Sequence, residues 1–358
     1  MTANSNSSVN SKRITANSKR SAASNKNSSA NNSAAATNNK KSTANSNTRT
    51  RDAIVTFSAL SYDVHLPVPV ERLINKYLQA GIIYAVGGSR TGKLKDSEEL
   101  YDVTTDTWSP MAPLAQKRRG LGLVLVGGFL YAVGGIDGSE VFDSVEKYSI
   151  ELNKWFFISL MTTKRGLHAV AVLHGVMYAV GGYNALGRDL SSVERYDPTT
   201  DLWALVAPMH VARRHFGVAV LNKFMYAVGG YVEVPSHGPV NSVERYDASS
   251  DAWTPVAPML KARNGHSVAS LGGYLYVIGG EGHRDMERYD PTTDSWTLIE
   301  MSVGGTGCGL VAVGGFLYVV GGQEAPRGLQ RYDPTTDSWT VMASMSAART
   351  GHSVVADC

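Results

Sequence analysis

The sequence predicts an all-β fold: a six-bladed propeller closed by a C-terminal strand and preceded by a disordered N-terminal tail. Three observations predict it. First, a Tyr-x-x-Gly-Gly unit recurs six times, at Tyr84, Tyr131, Tyr178, Tyr226, Tyr276 and Tyr318. Second, each unit is followed by another tyrosine (Tyr101, Tyr148, Tyr196, Tyr246, Tyr289, Tyr332), and a tryptophan stands seven residues beyond it in every copy. Trp108, Trp155, Trp203, Trp253, Trp296 and Trp339 are all the tryptophans of the chain. Third, the closing residues Arg349-Thr350-Gly351-His352-Ser353-Val354 repeat the pattern of Arg263-Asn264-Gly265-His266-Ser267-Val268, which opens an earlier unit. Self-similarity at a fixed period is the signature of a repeat architecture, and units of 43–50 residues with four short strands each indicate propeller blades.

The strands follow from the third unit. Strand A is expected from about Leu167 to Leu173, B from Val176 to Val180, C from Val193 to Tyr196, and D around Trp203. Asp197-Pro198-Thr199-Thr200-Asp201 supplies a tight C–D turn, with Pro fixing φ and Asp accepting from the backbone two residues on. The paired glycines that end strand B permit positive φ or close backbone approach. The first B strand, Ile82 to Val86, has no A strand before it. The C-terminal residues are expected to supply that strand and seal the ring, at residues 81–358.

Charge divides the chain. Residues 1–52 carry nine Lys/Arg and one acid, Asp52, while the remainder holds 25 basic and 30 acidic side chains. The overall +3 therefore belongs to the tail, and nucleic-acid binding through a basic propeller surface is not expected. Residues 1–53 read as a disordered Asn/Ser-rich basic tail: the first 50 hold 12 Asn, 12 Ser and no aromatic residue, too little apolar surface to offset ordering entropy. Its pairs Lys12-Arg13, Lys19-Arg20 and Lys40-Lys41 suit RNA or an anionic membrane, and its Ser/Arg content is faintly that of a transit peptide; a solvated extension is the plainer reading. Residues 54–80 read as a short linker, with Val64-His65-Leu66-Pro67 extended and Glu71 to Leu78 helical. No apolar run of membrane-spanning length and no secretory leader is visible. The two cysteines, Cys308 and Cys358, form no disulfide framework or zinc module. A reducing, cytoplasmic setting is expected.

The Gly-Gly, Tyr and Trp pattern of residues 82–358 resembles the kelch repeat, and Ser-Val-Glu-Arg-Tyr-Asp followed by Trp and Ala-Pro-Met resembles the Kelch-like adaptor proteins. Those adaptors carry BTB and BACK domains ahead of the propeller. Residues 64–78 faintly resemble one helical stretch of a BACK domain, and no BTB domain fits before it. The resemblance implies a non-enzymatic protein-binding module: a substrate receptor of a cullin-RING ubiquitin ligase that captures a short acidic motif, reaching the ligase through a missing or separate BTB protein. An actin-binding kelch protein is the alternative.

Antiparallel strands place the B–C loops and the D–A links on one face. The second Gly and the next Tyr are separated by a variable number of residues, whereas Tyr to Trp is constant, which marks the B–C loops as the variable binding surface. An arginine recurs just before strand A in five blades: Arg118, Arg165, Arg213, Arg263 and Arg349, with Gly305 in the sixth. The resemblance implies that these five, with Tyr183 and Tyr231, contact acidic segments of a partner; a repeated arginine would also serve to tie one blade to the next. Glu99, Glu146, Glu194, Glu244 and Glu287, two before the strand-C tyrosine, are expected to be structural partners of repeat cations. His168, His266 and His352 share a strand-A position, with His215 one residue out of phase, and suggest a ring around a channel, without a metal or other cofactor. Copper-oxidase chemistry needs a Cys–Tyr cofactor among histidines, and sialidase chemistry needs glycine-containing Asp boxes; neither is found.

Overall fold

The computed structural model describes residues 81–358 apart from 91, 96, 235, 300–304 and 358. The expectations for the tail and for the linker at 54–80 lie outside the described residues. Six four-stranded antiparallel sheets surround one axis, each with its A strand innermost and in contact with the A strands on either side. Blade 1 combines the C-terminal strand A, Ser353–Asp357, with B, Ile82–Val86; C, Glu98–Asp102; and D, Thr107–Met111. The other blades run consecutively. Blade 2 is Gly122–Val126, Phe129–Val133, Val145–Ser149 and Lys154–Ile158; blade 3 is Ala169–Leu173, Val176–Val180, Val193–Asp197 and Leu202–Val206. Blades 4, 5 and 6 begin with Gly217–Leu221, Ser267–Leu271 and Gly309–Val313. The expected closure is present: Tyr84 lies opposite Val355 in an antiparallel ladder.

The constant spacing of seven has a physical cause. Each C-strand tyrosine faces the D-strand tryptophan across the ladder, with ring centroids 4.9–5.2 Å apart. The tyrosine hydroxyl donates to the residue five positions on: Asp106, Asn153, Asp201, Asp251, Asp294 or Asp337. All six of those residues have φ of 47–53°, a conformation that Asn and Asp tolerate better than most. In the five blades whose preceding D–A link residue is described, the same side chain accepts an N–H from that link, as Asp106 does from Ala343. The tryptophan Nε1 donates to the carbonyl of that same link residue. One turn thus serves its own blade and fastens the previous one.

A second fastening lies at the axis. The residues Gly120, Leu167, His215, Gly265, Gly307 and Gly351 each donate their N–H to the carbonyl of the previous member, at 2.8–3.0 Å, and Gly120 closes the circle on Gly351. All six have φ between 51° and 67°. Glycine accepts that backbone freely; Leu167 and His215 hold it at a cost on the order of 1–3 kcal/mol. The apolar core lies between blades. Tyr84 and Val86 of blade 1 pack with Leu123, Leu130 and Trp155 of blade 2, and every B strand is buried over its last four residues.

Deleting residues 349–358 removes both strand A of blade 1 and one member of the axial circle. The product is expected to expose the Ile82–Val86 edge and aggregate, read by light scattering; a monomer with wild-type melting would contradict this closure.

Candidate functional site

The B–C loops and D–A links do share a face. Backbone bridges join Thr350 to Ser89, Arg119 to Ile136, Gly166 to Tyr183 and Arg214 to Tyr231, and Glu281 and Gln323 donate to the carbonyls of Asn264 and Thr306. Together these six links and loops frame the mouth of the central channel.

The five expected contact arginines are not on that surface. Arg118, Arg165, Arg213, Arg263 and Arg349 are 0% exposed. Each Nη1 donates to the carbonyl of the first glycine in its blade's Gly-Gly pair: Gly134, Gly181, Gly229, Gly279 and Gly87, at 2.8–3.1 Å. Each Nη2 meets the C-strand glutamate at 2.8–3.0 Å: Glu146, Glu194, Glu244, Glu287 and Glu99. The glutamates are therefore structural partners of a repeat cation, as expected, and they also accept N–H groups of the link at Ala115, Thr162, His210, Leu260 and Ser346. The arginine main chain completes the joint, its carbonyl accepting from the second glycine of the preceding blade (Gly88, Gly135, Gly182, Gly230, Gly322). A guanidinium with this many fixed acceptors in a sealed site is out of a partner's reach. The direct-contact expectation for these five is corrected, and the tie between blades is what they provide.

Blade 6 shows the pairing by its loss. Gly305 replaces the arginine, and at the matching glutamate position stands Gln330. The two members disappear together, as a buried carboxylate without its cation would require. Blade 1 carries the opposite anomaly. Beside Glu99 it buries a second carboxylate, Glu98, where the other blades place Val145, Val193, Val243, Met286 and Leu329. Glu98 accepts from Gly87 N at 2.7 Å and lies 3.6 Å from Arg349. Burial pushes its pKa up to about 7, against the lowering effect of Arg349 and of backbone donors.

The residues that do face the mouth stand one and two positions beyond the buried arginines. A cavity of about 350 Å³ is lined there by Arg119, Leu167, His215, Thr306, Gln323 and Thr350, among others. Arg119 is half-buried and has no side-chain hydrogen bond or ion pair among the described residues. Arg214 is 22% exposed and engaged: it meets Asp189 at 2.8 Å and Glu233 at 2.9 Å, and its guanidinium lies 4.6 Å from the Tyr231 ring centroid and 5.9 Å from that of Tyr183. Tyr183 and Tyr231 are thus half-buried walls around Arg214, on the expected face. His215 also lines the mouth. Desolvation by the converging blades, together with Arg214 and Arg119, pushes its pKa down to about 4, so it is neutral at pH 7.

His168, His266 and His352 also border the central cavity, deeper than Arg119. They are buried, and each Cε1 packs over the first glycine of the preceding blade's pair: Gly134, Gly229 and Gly321. Burial and the neighbouring arginines push all three down to about 3. Among the described residues, no group of three His, Cys, Asp or Glu side chains could hold a metal ion.

A signal for His215 was present in the sequence. Two positions beyond the repeat arginine, or its Gly305 counterpart, four blades have glycine, and Leu167 and His215 break that pattern. A bulky residue where the repeat requires positive φ marks a position maintained against its conformational cost.

A four-stranded blade repeated six times around an axis defines a six-bladed β-propeller. The family model described as the Attractin/LZTR1 beta-propeller matches residues 83–323, and the Kelch motif matches residues 304–346. The chain belongs to this kelch-type β-propeller family. In solved structures it is similar to that of YjhT, at 16% identity and a TM-score of 0.62, covering 72% of this chain and 97% of that one; this likeness concerns the fold. No curated protein matches the chain.

The buried pairs generate two predictions. Arg165→Gly leaves Glu194 buried and uncompensated and should cost about 3–5 kcal/mol in urea unfolding. Arg165→Gly with Glu194→Gln reproduces blade 6 and should recover a substantial part of that loss; strictly additive single costs would contradict the coupling. For Glu98, the folded pKa near 7 exceeds the ordinary 4.5. Its proton therefore favours the folded state fully below about pH 4.5, and that contribution is lost as pH rises through 7. Glu98→Gln should flatten this dependence and melt higher than wild type at pH 8; equal melting temperatures there would contradict the assignment.

Proposed function

We propose that the propeller captures an acidic segment of a partner protein at the channel mouth, on the sector formed by blades 1 and 2. The observation that carries this reading is Arg119: a guanidinium on a rigid rim, part-buried, and without a carboxylate of its own. A planar fork in such a setting suits bidentate capture of a partner carboxylate. In the sequence around it, the B–C loop of blade 1 carries Arg90, Lys93 and Lys95 with Asp96, and that of blade 2 carries Asp137, Glu140 and Asp143; of these charged groups, Arg119 is the one that lines the cavity at the mouth. Arg214 is balanced by Asp189 and Glu233 and acts instead as a spacer that holds Tyr183 and Tyr231 upright. Those two rings offer flat apolar surface beside the charged sector, and a neutral His215 offers a hydrogen bond.

The reading is of a binding module without catalysis, since the mouth presents one cation, hydroxyls and apolar rings rather than an activated nucleophile or an acid–base pair. The ubiquitin-ligase and actin settings implied by the Kelch-like resemblance, like a cytoplasmic location, are statements about which partner and which assembly. Identification of the captured protein decides between them.

The test uses short fluorescent peptides graded in Asp and Glu content, titrated against the full chain. Affinity should rise with acidic content and fall with salt. Arg119→Glu should weaken the best peptide by at least about tenfold, at 1.5–3 kcal/mol per charge-assisted contact, without lowering the melting temperature. Unchanged affinity in Arg119→Glu would overturn the proposal.

A further inference from the structure

The six repeats serve as controls for one another, and blade 2 departs from its siblings on the outer surface. At five solvent-facing positions it places a large apolar residue, and at two of them, Leu152 and Phe156, every sibling has a small or polar one. Ile150 stands where they have Val, Pro or Ala; Leu152 where they have Thr or Ser; Phe156 where they have Ser, Thr or Ala; Phe157 where they have Pro, Leu or Val; and Leu160 where they have Pro, Ser or Met. Leu152 is 64% exposed, Phe157 57% and Leu160 56%. With Leu202 and Leu205 of the adjoining blade, seven of the eleven exposed large hydrophobics among the described residues lie on this part of the rim. The patch is continuous across the blades, because Ser159 beside Leu160 is bonded to both Asp201 and Trp203 of blade 3.

The patch sits on an open edge. Strand D of blade 2, Lys154–Ile158, pairs with Val145–Ser149 on one side and, among the described residues, with no strand on the other. Blades 1 and 4 blunt the same edge with Pro110 and Pro255 at the position of Phe157. Blade 2 has no such guard. A flat edge with exposed aromatic residues is a template for another strand.

We propose that residues 64–70 of this chain, Val-His-Leu-Pro-Val-Pro-Val, cover this edge as a fifth strand of blade 2. The segment alternates strictly, with Val64, Leu66, Val68 and Val70 on one face. In a β-strand those same residues aim their N–H and C=O groups at one neighbour, so one hydrogen-bonding edge is intact. Pro67 and Pro69 fall on the other edge, where a missing N–H leaves nothing unpaired. Such a strand docks on one side and terminates the sheet on the other, as the blade requires.

The connection is long enough. The Gly81 carbonyl accepts from Val103 N at 3.1 Å at the outer turn of blade 1. From there strand D of blade 1 leads to Ala112, whose N–H is bonded to Asn153 in the outer turn of blade 2, 2.9 Å away. That strand, Thr107–Met111, is about 17 Å long. Residues 71–80 span about 33 Å when extended, and about 19 Å with the helix expected at Glu71 to Leu78.

The test is amide hydrogen exchange of the full chain, comparing wild type with Leu66→Asp/Val68→Asp. Both substitutions lie outside the propeller core. In wild type, peptides covering 152–158 and 64–70 should be protected together, independently of protein concentration. In the variant, 152–158 should exchange at least about tenfold faster, while the axial circle stays protected. Phe157→Asp should in turn release 64–70. Identical exchange at 152–158 in wild type and variant overturns the proposal. So does protection that grows with protein concentration, which would assign the edge to a second copy of the chain.

Discussion

The circle of six backbone hydrogen bonds at the axis is the constraint on which the rest of this propeller depends. Each blade contributes one N–H and one C=O, and both can point along the circle only if that residue has positive φ. The requirement explains why glycine stands there in four blades. It also fixes the residues on either side. The position before it faces the mouth, the one before that turns inward, and the following residues enter strand A. The inward-turning residue is the arginine, whose side chain meets its own blade and whose carbonyl meets the preceding one.

The two fastenings divide the labour between chemistry types. At the axis and beneath the rim, backbone groups and a buried Arg–Glu pair set the distance between neighbouring blades. At the perimeter, the Tyr–Asp–Trp arrangement does the same from the outside. Buried ion pairs are weak evidence for stability in themselves. Here their value lies in geometry: a fork donating at once to a glycine carbonyl and a glutamate holds the link in one register. Blade 6 keeps the circle while dispensing with the pair, so the pair adjusts a rim that the circle closes. In the proposed function, recognition falls to side chains that neither fastening uses, of which those of Arg119 and His215 are the clearest.

Much of the fold was legible in the sequence because each element repeats. The Tyr-to-Trp spacing, the Gly-Gly pairs and the final Arg-x-Gly-His-Ser gave blade number, strand order and closure. The glutamates were legible as structural for the same reason. For the arginines the resemblance implies a partner and the regularity implies a tie between blades, and the second is the physical signal: a residue that repeats in five blades answers a need of the blade. The joint replacement by Gly305 and Gln330 was visible in the sequence and would have paired them. The exposure of Arg119, its neighbour Arg118 being sealed, was not legible, because a one-residue offset reverses the facing of a side chain and only the backbone path sets it. Equally hidden was the apolar surface of blade 2. Phe156 and Phe157 read as ordinary strand residues until the strand is known to be the outermost of its sheet.

The axial circle also governs how the molecule unfolds, since no blade can detach without opening it. The most direct measurement is residue-resolved exchange of the six amides of Gly120, Leu167, His215, Gly265, Gly307 and Gly351. If the circle is the closing constraint, all six exchange through global unfolding alone, with one common free energy and one common denaturant dependence. If Gly351 and Gly120 exchange through a separate, cheaper opening at the blade 1 seam while the other four remain protected, the circle is not what closes the ring, and closure rests on contacts elsewhere in the blades.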